Sequence, residues 1–232
     1  MPVAQYFNKA TLKGTVSRSQ IIDFDNKKTG GKNSFLSMEI NTGKSNKVKT
    51  VLFPTANNPN KHNEIASQYP VNSKVEITGK LQEKEYESQS GQKRKDRSVS
   101  IISIRPLEDE SKIGAKFVLQ GLVKKIKESS DGVNIEIDYI ESYTPTGSKE
   151  KKEVVSSFEL TVPGSTEKFD ELLDGEDLIK GCNAKFKGIV FNQIEFDDYG
   201  DIVGNNRMFA VEKITDIVEP SEIEEPEVMP FQ

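Results

Sequence analysis

Tryptophan is absent from the 232 residues, and cysteine and histidine occur once each, as Cys182 and His62. One thiol cannot close an internal disulfide, and a lone histidine with a lone cysteine cannot furnish a Cys/His metal site. Zinc chemistry and Ser/His or Cys/His catalysis are left without residues to carry them, the more so because His62 sits in a polar stretch, Asn60 to Asn63. No convergent acid, base and electrophile is evident, so an enzyme is not expected. Asp197, Asp198 and Asp201 lie too irregularly for a calcium loop and read as a turn. No cofactor or metal is expected. Long apolar runs are missing too: none approaches the roughly 18 residues of a membrane span. The opening Met1-Pro2-Val3-Ala4 has neither a basic nor an apolar leader segment, so the expectation is a cytoplasmic protein with no membrane association.

What is present is an uneven distribution of charge. The net value of −5 hides a basic first half: residues 1–110 carry 18 Lys+Arg against 12 Asp+Glu, residues 111–218 carry 14 against 20, and residues 219–232 hold five Glu and no base. A basic module followed by an acidic one and an acidic tail is a pattern that points to a polyanion as partner of the first half.

Strand signals dominate the chain. Ala10 to Ser17, Phe35 to Asn41, Val48 to Phe53, Lys74 to Leu81 and Arg97 to Ile104 are short β-rich runs separated by turn-forming residues. Between the third and fourth, Asn57 to Tyr69 carries Ile65, Ala66 and Tyr69 at helical spacing. Five strands with a helix between strands three and four is the order of an OB-fold, a five-stranded Greek-key barrel. The order returns in Phe117 to Lys125, Val133 to Ile140, Val154 to Val162, Ala184 to Phe196 and Met208 to Ile214, with Thr166 to Asp177 as the helix. Leu12-Lys13-Gly14 answers Leu119-Gln120-Gly121 at a shift of 107, and Phe53-Pro54 answers Val162-Pro163, and Gly79 answers Gly188, at 109. Two copies of one fold explain this, and convergence on OB patterning is the alternative. The expected fold class is therefore all-β: two tandem OB-fold barrels over residues 1–106 and 113–218, a linker at 107–112, and a disordered acidic tail at 219–232.

Alternation along a strand separates core from surface. Val48, Thr50 and Leu52 share one face of the third strand; Lys47, Lys49, Val51 and Phe53 share the other. In the fourth, Val75, Ile77 and Leu81 point inward, and Thr78, Lys80, Gln82, Lys84 and Tyr86 outward. In the second, Leu36, Met38 and Ile40 are inward, which leaves Phe35 outside. Aromatic rings beside cations suit a single nucleic-acid strand, because every base offers a π-face and every nucleotide a phosphate, and neither contact reads sequence. Phe35, Phe53 and Tyr86 are thus candidate stacking residues, with Phe24 a further one. Lys47, Lys49, Lys80, Lys84, Lys93, Arg94, Lys95 and Arg97 are candidate phosphate contacts, and Lys27, Lys28 and Lys32 are either the same or solubility charge. The alternative for the rings is ordinary strand packing.

The run Val75 to Arg94, together with Asn8-Lys9, Leu12, Gly14 and Val51-Leu52-Phe53, resembles the bacterial and phage single-stranded DNA-binding proteins over residues 8–105. The resemblance implies sequence-independent binding and protection of single-stranded DNA in replication, recombination or repair. It puts Phe53 and Tyr86 at base-stacking positions, Tyr86 replacing a tryptophan, and places Lys47 where the family has another tryptophan. Arg94 and Lys95 fall in a loop that tracks the DNA backbone. It implies assemblies of four OB-folds, which two copies of this chain would supply. Met229-Pro230-Phe231 resembles the family's acidic tip ending in Pro-Phe, which recruits replication and repair proteins, although Gln232 displaces the terminal carboxylate by one residue. A phage replication protein fits this arrangement. The second repeat, with Val162 against Phe53 and Glu159, Glu195, Asp197 and Asp198 on its surface, is expected to organise an assembly more than to bind DNA. A protein-interaction or oligomerisation module, or an RNA-binding OB protein, stand as alternatives, because stacking and phosphate contacts alone do not read the sugar.

Overall fold

The computed structural model describes residues 4–25, 31–43, 46–55, 58–87, 93–108, 112–129, 132–143, 152–196 and 202–220. Five strands and a helix, β1 (Phe7–Asp25), β2 (Lys32–Asn41), β3 (Lys47–Leu52), α1 (Lys61–Gln68), β4 (Lys74–Glu87) and β5 (Lys93–Pro106), precede an equivalent set: β6 (Gly114–Ser129), β7 (Gly132–Tyr143), β8 (Lys152–Pro163), α2 (Thr166–Leu173), β9 (Asn183–Phe196) and β10 (Ile202–Val218). Each set closes on itself. The first runs β1-β2-β3-β5-β4 and back to β1, the second β6-β7-β8-β10-β9 and back to β6, with one parallel contact in each, β3 to β5 and β8 to β10. The chain is thus all-β with two OB-fold barrels, each with a helix between its third and fourth strands.

The alternation read from the sequence holds inside the barrels. Leu12, Leu36, Met38, Ile40, Val48, Val75, Ile77 and Leu81 are fully buried in the first, and Leu119, Ile135, Phe158, Leu160, Val162 and Phe186 in the second. The strands outrun their apolar runs. β1 continues to Asp25 and β4 to Glu87 because hairpin partners extend with them, Phe24 opposite Asn33 and Lys84 opposite Asp96. Backbone pairing rather than side-chain burial holds these arms. On α1, His62 joins Ile65, Ala66 and Tyr69 at i, i+3, i+4 and i+7, and its ring is buried with Nε2 2.8 Å from Ser34 Oγ. A polar residue thereby completes an apolar stripe.

The repeated glycines mark the same close approach twice. A Cβ at Gly14 would lie 2.1 Å from the Asn41 carbonyl oxygen, and one at Gly121 2.3 Å from that of Asp138; at Gly79 and Gly188 the corresponding oxygens, of Ser100 and Ala210, stand at 2.3 and 1.9 Å. Only a residue without a side chain lets the long first and fourth strands bend so near their neighbours.

The barrels meet through β1 and β6, which pair antiparallel from Phe7–Gln120 to Lys13–Gly114. Ala10 and Phe117, which differ by the repeat shift of 107, face each other, so this pairing is its own image under exchange of the barrels. β4, β1, β6 and β9 consequently form one continuous sheet across the molecule. Polar bonds fasten the joint: Tyr139 Oη donates to the Leu81 carbonyl at 3.1 Å, and Asn46 Nδ2 donates to the Val190 carbonyl at 2.8 Å, while within the first barrel Asn8 grips the backbone of Leu81 through both amide atoms. The buried Tyr139 hydroxyl is held neutral far above the ordinary phenol range, by burial first and by Glu141 and Glu83 next.

The repeat needs one correction. β3 and β8 meet their parallel partners through Val51–Ser100 and Thr161–Ala210, a shift of 110 rather than the 109 read from Phe53-Pro54 and Val162-Pro163. Val162 is the counterpart of the buried Leu52, and Pro163 stands in the place of Phe53. One residue of slip moves a side chain through the sheet, which is why a near-constant offset misplaces this pair. Among the described residues no helix is long and apolar enough to cross a membrane.

Candidate nucleic-acid interface

The outer surface of the first barrel is where β2, β3, β4 and β5 present their non-core residues together. β2 pairs with β3 with Leu36 opposite Leu52, so Phe35 and Phe53, each one step further out, come to lie side by side. Their rings stack at 5.0 Å and 26°, and Phe24, opposite Asn33 at the end of the β1–β2 arm, meets Phe35 edge-on at 5.9 Å. Three rings in a row result, from β1, β2 and the residue that follows β3. Phe24 remains 39% exposed, so this row is not core packing.

The rings border a pocket of about 230 Å³ that Lys49, Val51, Gln82, Lys84, Asp96 and Ser98 complete. Val51, on the same face, is buried beneath the rings at 5% exposure, giving the pocket an apolar floor. Lys84 Nζ stands 4.2 Å from the Phe53 ring centroid, a cation–π contact that keeps an ammonium over the stacking surface. Loss of water around this ammonium lowers its pKa; Asp96 acts in the opposite direction, Lys49 in the same one, and Glu141 of the second barrel again favours the charge. Lys49 pairs with Asp96 at 2.5 Å, which fixes the lysine at the pocket wall while its charge is shared. The pocket therefore combines flat apolar surface with two cations, Lys49 and Lys84, and the polar side chains of Gln82, Asp96 and Ser98.

Phe35, Phe53, Lys49 and Lys84 are the candidates that converge here, and Phe24 joins them. The others are dispersed. Lys95 and Arg97 both turn to Glu83, at 2.8 and 2.7 Å, and Arg97 also binds Glu159 of β8. Burial opposes the charge on Arg97, but the two carboxylates outweigh it and raise its pKa. Arg97 thus ties the first barrel to the second. Its counterpart is Arg207, shifted by 110, which donates to the carbonyls of Arg97 at 2.7 Å and Lys47 at 3.4 Å. Burial among neutral carbonyls lowers the Arg207 pKa, with Asp96 and Glu39 acting against it. Lys47 keeps an exposed side chain while its backbone belongs to this joint. Lys80 lies on the outer face of β4, away from the pocket. For Tyr86, Lys93 and Arg94 only the backbone is described, with Tyr86 paired to Arg94 and Glu87 to Lys93; their side chains lie outside the described residues, as do Lys27, Lys28, Met229, Pro230 and Phe231.

Asp96, Gln82 and Ser98 are pocket residues that sequence reading did not select. The hairpin register that sets Lys84 opposite Asp96 carries the signal for Asp96, but only once the loop between β4 and β5 is placed.

No family model matches the chain, and no curated protein matches it. Among solved structures, the chain is similar to the wild-type single-stranded DNA-binding protein from Thermus aquaticus, with 14% identity, a TM-score of 0.56, and coverage of 99% of this chain and 97% of that one. It is similar to a deletion mutant of that protein as well, with 14% identity, a TM-score of 0.55, and coverage of 97% and 98%. The shared fold extends over both barrels.

Proposed function

We propose that the chain binds single-stranded DNA without regard to sequence, through the outer face of its first barrel. The observation that carries this reading is the row of Phe24, Phe35 and Phe53 beside Lys49 and Lys84. Bases stack on the rings, and a base entering over Phe53 moves the Lys84 ammonium onto a phosphate. Each stacked base is worth about 1–3 kcal/mol, and each phosphate contact releases a counterion. Tyr86 and Arg94, in register on the side of the β4–β5 arm that carries Lys84 and Asp96, extend the face in this reading, whereas Lys93 and Lys95 fall on the other side, Lys95 beside Glu83. The similarity in fold to a single-stranded DNA-binding protein from Thermus aquaticus, over nearly the whole of both chains, supports it.

Protection of DNA during replication, recombination or repair is the process this binding serves, with two copies of the chain supplying four barrels. The acidic tail, which carries Met229-Pro230-Phe231 ahead of Gln232, recruits protein partners and competes with DNA for the basic face. The test is fluorescence anisotropy with oligo(dT), oligo(U) and duplex DNA at two salt concentrations. Preference for oligo(dT), with affinity falling steeply as salt rises, is the expected result. Equal or absent binding to all three refutes the proposal, and a preference for oligo(U) makes the chain an RNA-binding OB protein instead.

A further inference from the structure

The β1–β2 arm that carries Phe24 and Phe35 has two sides. Phe35 faces the pocket, and Ser34, on the side of Leu36 by strand alternation, faces away from it with Asp23 of β1 opposite. On that side Leu36 is the last core residue: Ser34 is half-buried and Asp23 exposed. The N-terminal end of α1 backs the arm there. Buried His62 places Nε2 2.8 Å from Ser34 Oγ, among the described residues the one side-chain hydrogen bond between α1 and the arm. Further along, α1 and β1 part around a depression of about 410 Å³ that Ile21 and Val71 border, so the helix holds the arm at His62 rather than along its length. At the other end of the helix, buried Tyr69 points its hydroxyl at the Ile104 carbonyl of β5, 3.5 Å away, which seats α1 on the barrel. His62 is a costly way to fill its place: Nδ1 is buried without a hydrogen-bond partner, a penalty that an apolar side chain of similar size would avoid. A local cost of this kind is expected where function rather than stability fixes the residue.

We infer that His62 is a positioning residue for the stacking row: through Ser34 it braces the arm from behind and so holds Phe35 and Phe24 where they meet Phe53. The inference rests on the reading of the pocket given above. A two-stranded arm held by backbone pairing alone is marginal in water. Bracing it in the unbound protein leaves less to be ordered when a base arrives, so the hydrogen bond is expressed as affinity. Both stacked rings are tied to the same helix. Phe35 is joined to it by Ser34 and His62, and Phe53 by the chain that runs from the end of β3 through the Thr55–Asn58 bridge into α1. The contact at 5.0 Å between the two rings is thus closed from both sides by α1.

The test measures oligo(dT) anisotropy and thermal unfolding on the same variants. His62→Leu should melt no lower than wild type, because the unmet Nδ1 is gone, and yet bind oligo(dT) about three- to tenfold more weakly, the worth of about one net hydrogen bond. Opposite responses of stability and affinity are what a merely structural histidine cannot give. Ser34→Ala, which removes only a hydroxyl, should weaken binding to a similar extent, and His62→Gln, whose amide reaches the place of Nε2, should restore most of it. The loss should also depend on the ring: His62→Leu added to Phe35→Ala should weaken binding no further than Phe35→Ala alone. Affinity unchanged in both His62→Leu and Ser34→Ala overturns the inference. So does a His62→Leu variant that loses stability and affinity in step, or one whose loss persists in full without Phe35, since either assigns His62 to the core or to another site. Failure of wild type to bind oligo(dT) would instead refute the pocket itself, and with it the brace.

Discussion

The two barrels repeat each other strand for strand and differ where the first could hold a ligand. The β1–β2 hairpin runs three pairs beyond Ile22–Phe35, and Phe24 sits on that extension; β6–β7 turns at its equivalent pair, Ser129–Gly132. Phe35 therefore has Gly132 as its counterpart, Phe53 has Pro163, and Lys49 has Glu159. Rings and cation are gone, and a carboxylate that binds Arg97 has come in. The glycines that let the barrel close are all retained. Closing a barrel and presenting a face to a ligand are thus separable demands on this fold, met by different residues: inward positions and bends for one, outward residues and hairpin length for the other.

The sharpest way to break the comparison is to remove the rings. Phe35→Ala with Phe53→Ala should weaken oligo(dT) binding by about 4 kcal/mol, from about 1–3 per ring, while Pro163→Ala in the second barrel should leave it unchanged; anisotropy titrations at fixed salt decide. An equal loss from both sites would mean that both barrels bind.

The joint offers the next effect. Arg97→Ala leaves Glu83, 8% exposed, with Lys95 as its only other ion-pair partner among the described residues, and Glu159 with none. Stability should fall by about 3 kcal/mol in urea unfolding, since removing one partner of a buried pair strands the other charge. Arg207→Ala, which vacates neutral carbonyls, should cost less. A smaller loss for Arg97→Ala than for Arg207→Ala would contradict the assignment of the carboxylates as its main partners.

Gly14→Ala and Gly121→Ala probe what the barrels share. Each added methyl meets a backbone oxygen nearer than any real contact, so both should lower stability, by about 2 kcal/mol and to a similar extent. Thermal unfolding that spares one of them would show that the repeat is not obeyed there.

The smallest effect concerns proton linkage. The Lys84 pKa is lowered by loss of water around its ammonium, and a phosphate beside it would raise it again. Binding then takes up a proton, so affinity should decline a few fold as pH rises through the alkaline range just below the ordinary lysine value, and Lys84→Gln should flatten that decline. A profile identical in wild type and variant would place the phosphate elsewhere.

The sequence by itself determined the two barrels. Period-two alternation, the glycines at matching offsets and the helix in the same slot twice leave little freedom, because a strand that buries one face has only one register in which to do so. It also marked Phe35, Phe53, Lys49 and Lys84 as outward. The tertiary structure decided which outward residues meet. Lys84 joins the rings through a hairpin register set across an intervening loop, and Arg97 and Lys95, alike in sequence, are drawn to Glu83 and, for Arg97, Glu159. The sequence offset also placed Val162 against Phe53, one residue out, whereas pairing geometry puts Val162 in the core. Alternation is a local property of one strand, but partnership across strands depends on bulges, hairpin lengths and the β1–β6 joint, which appear only when both barrels are closed.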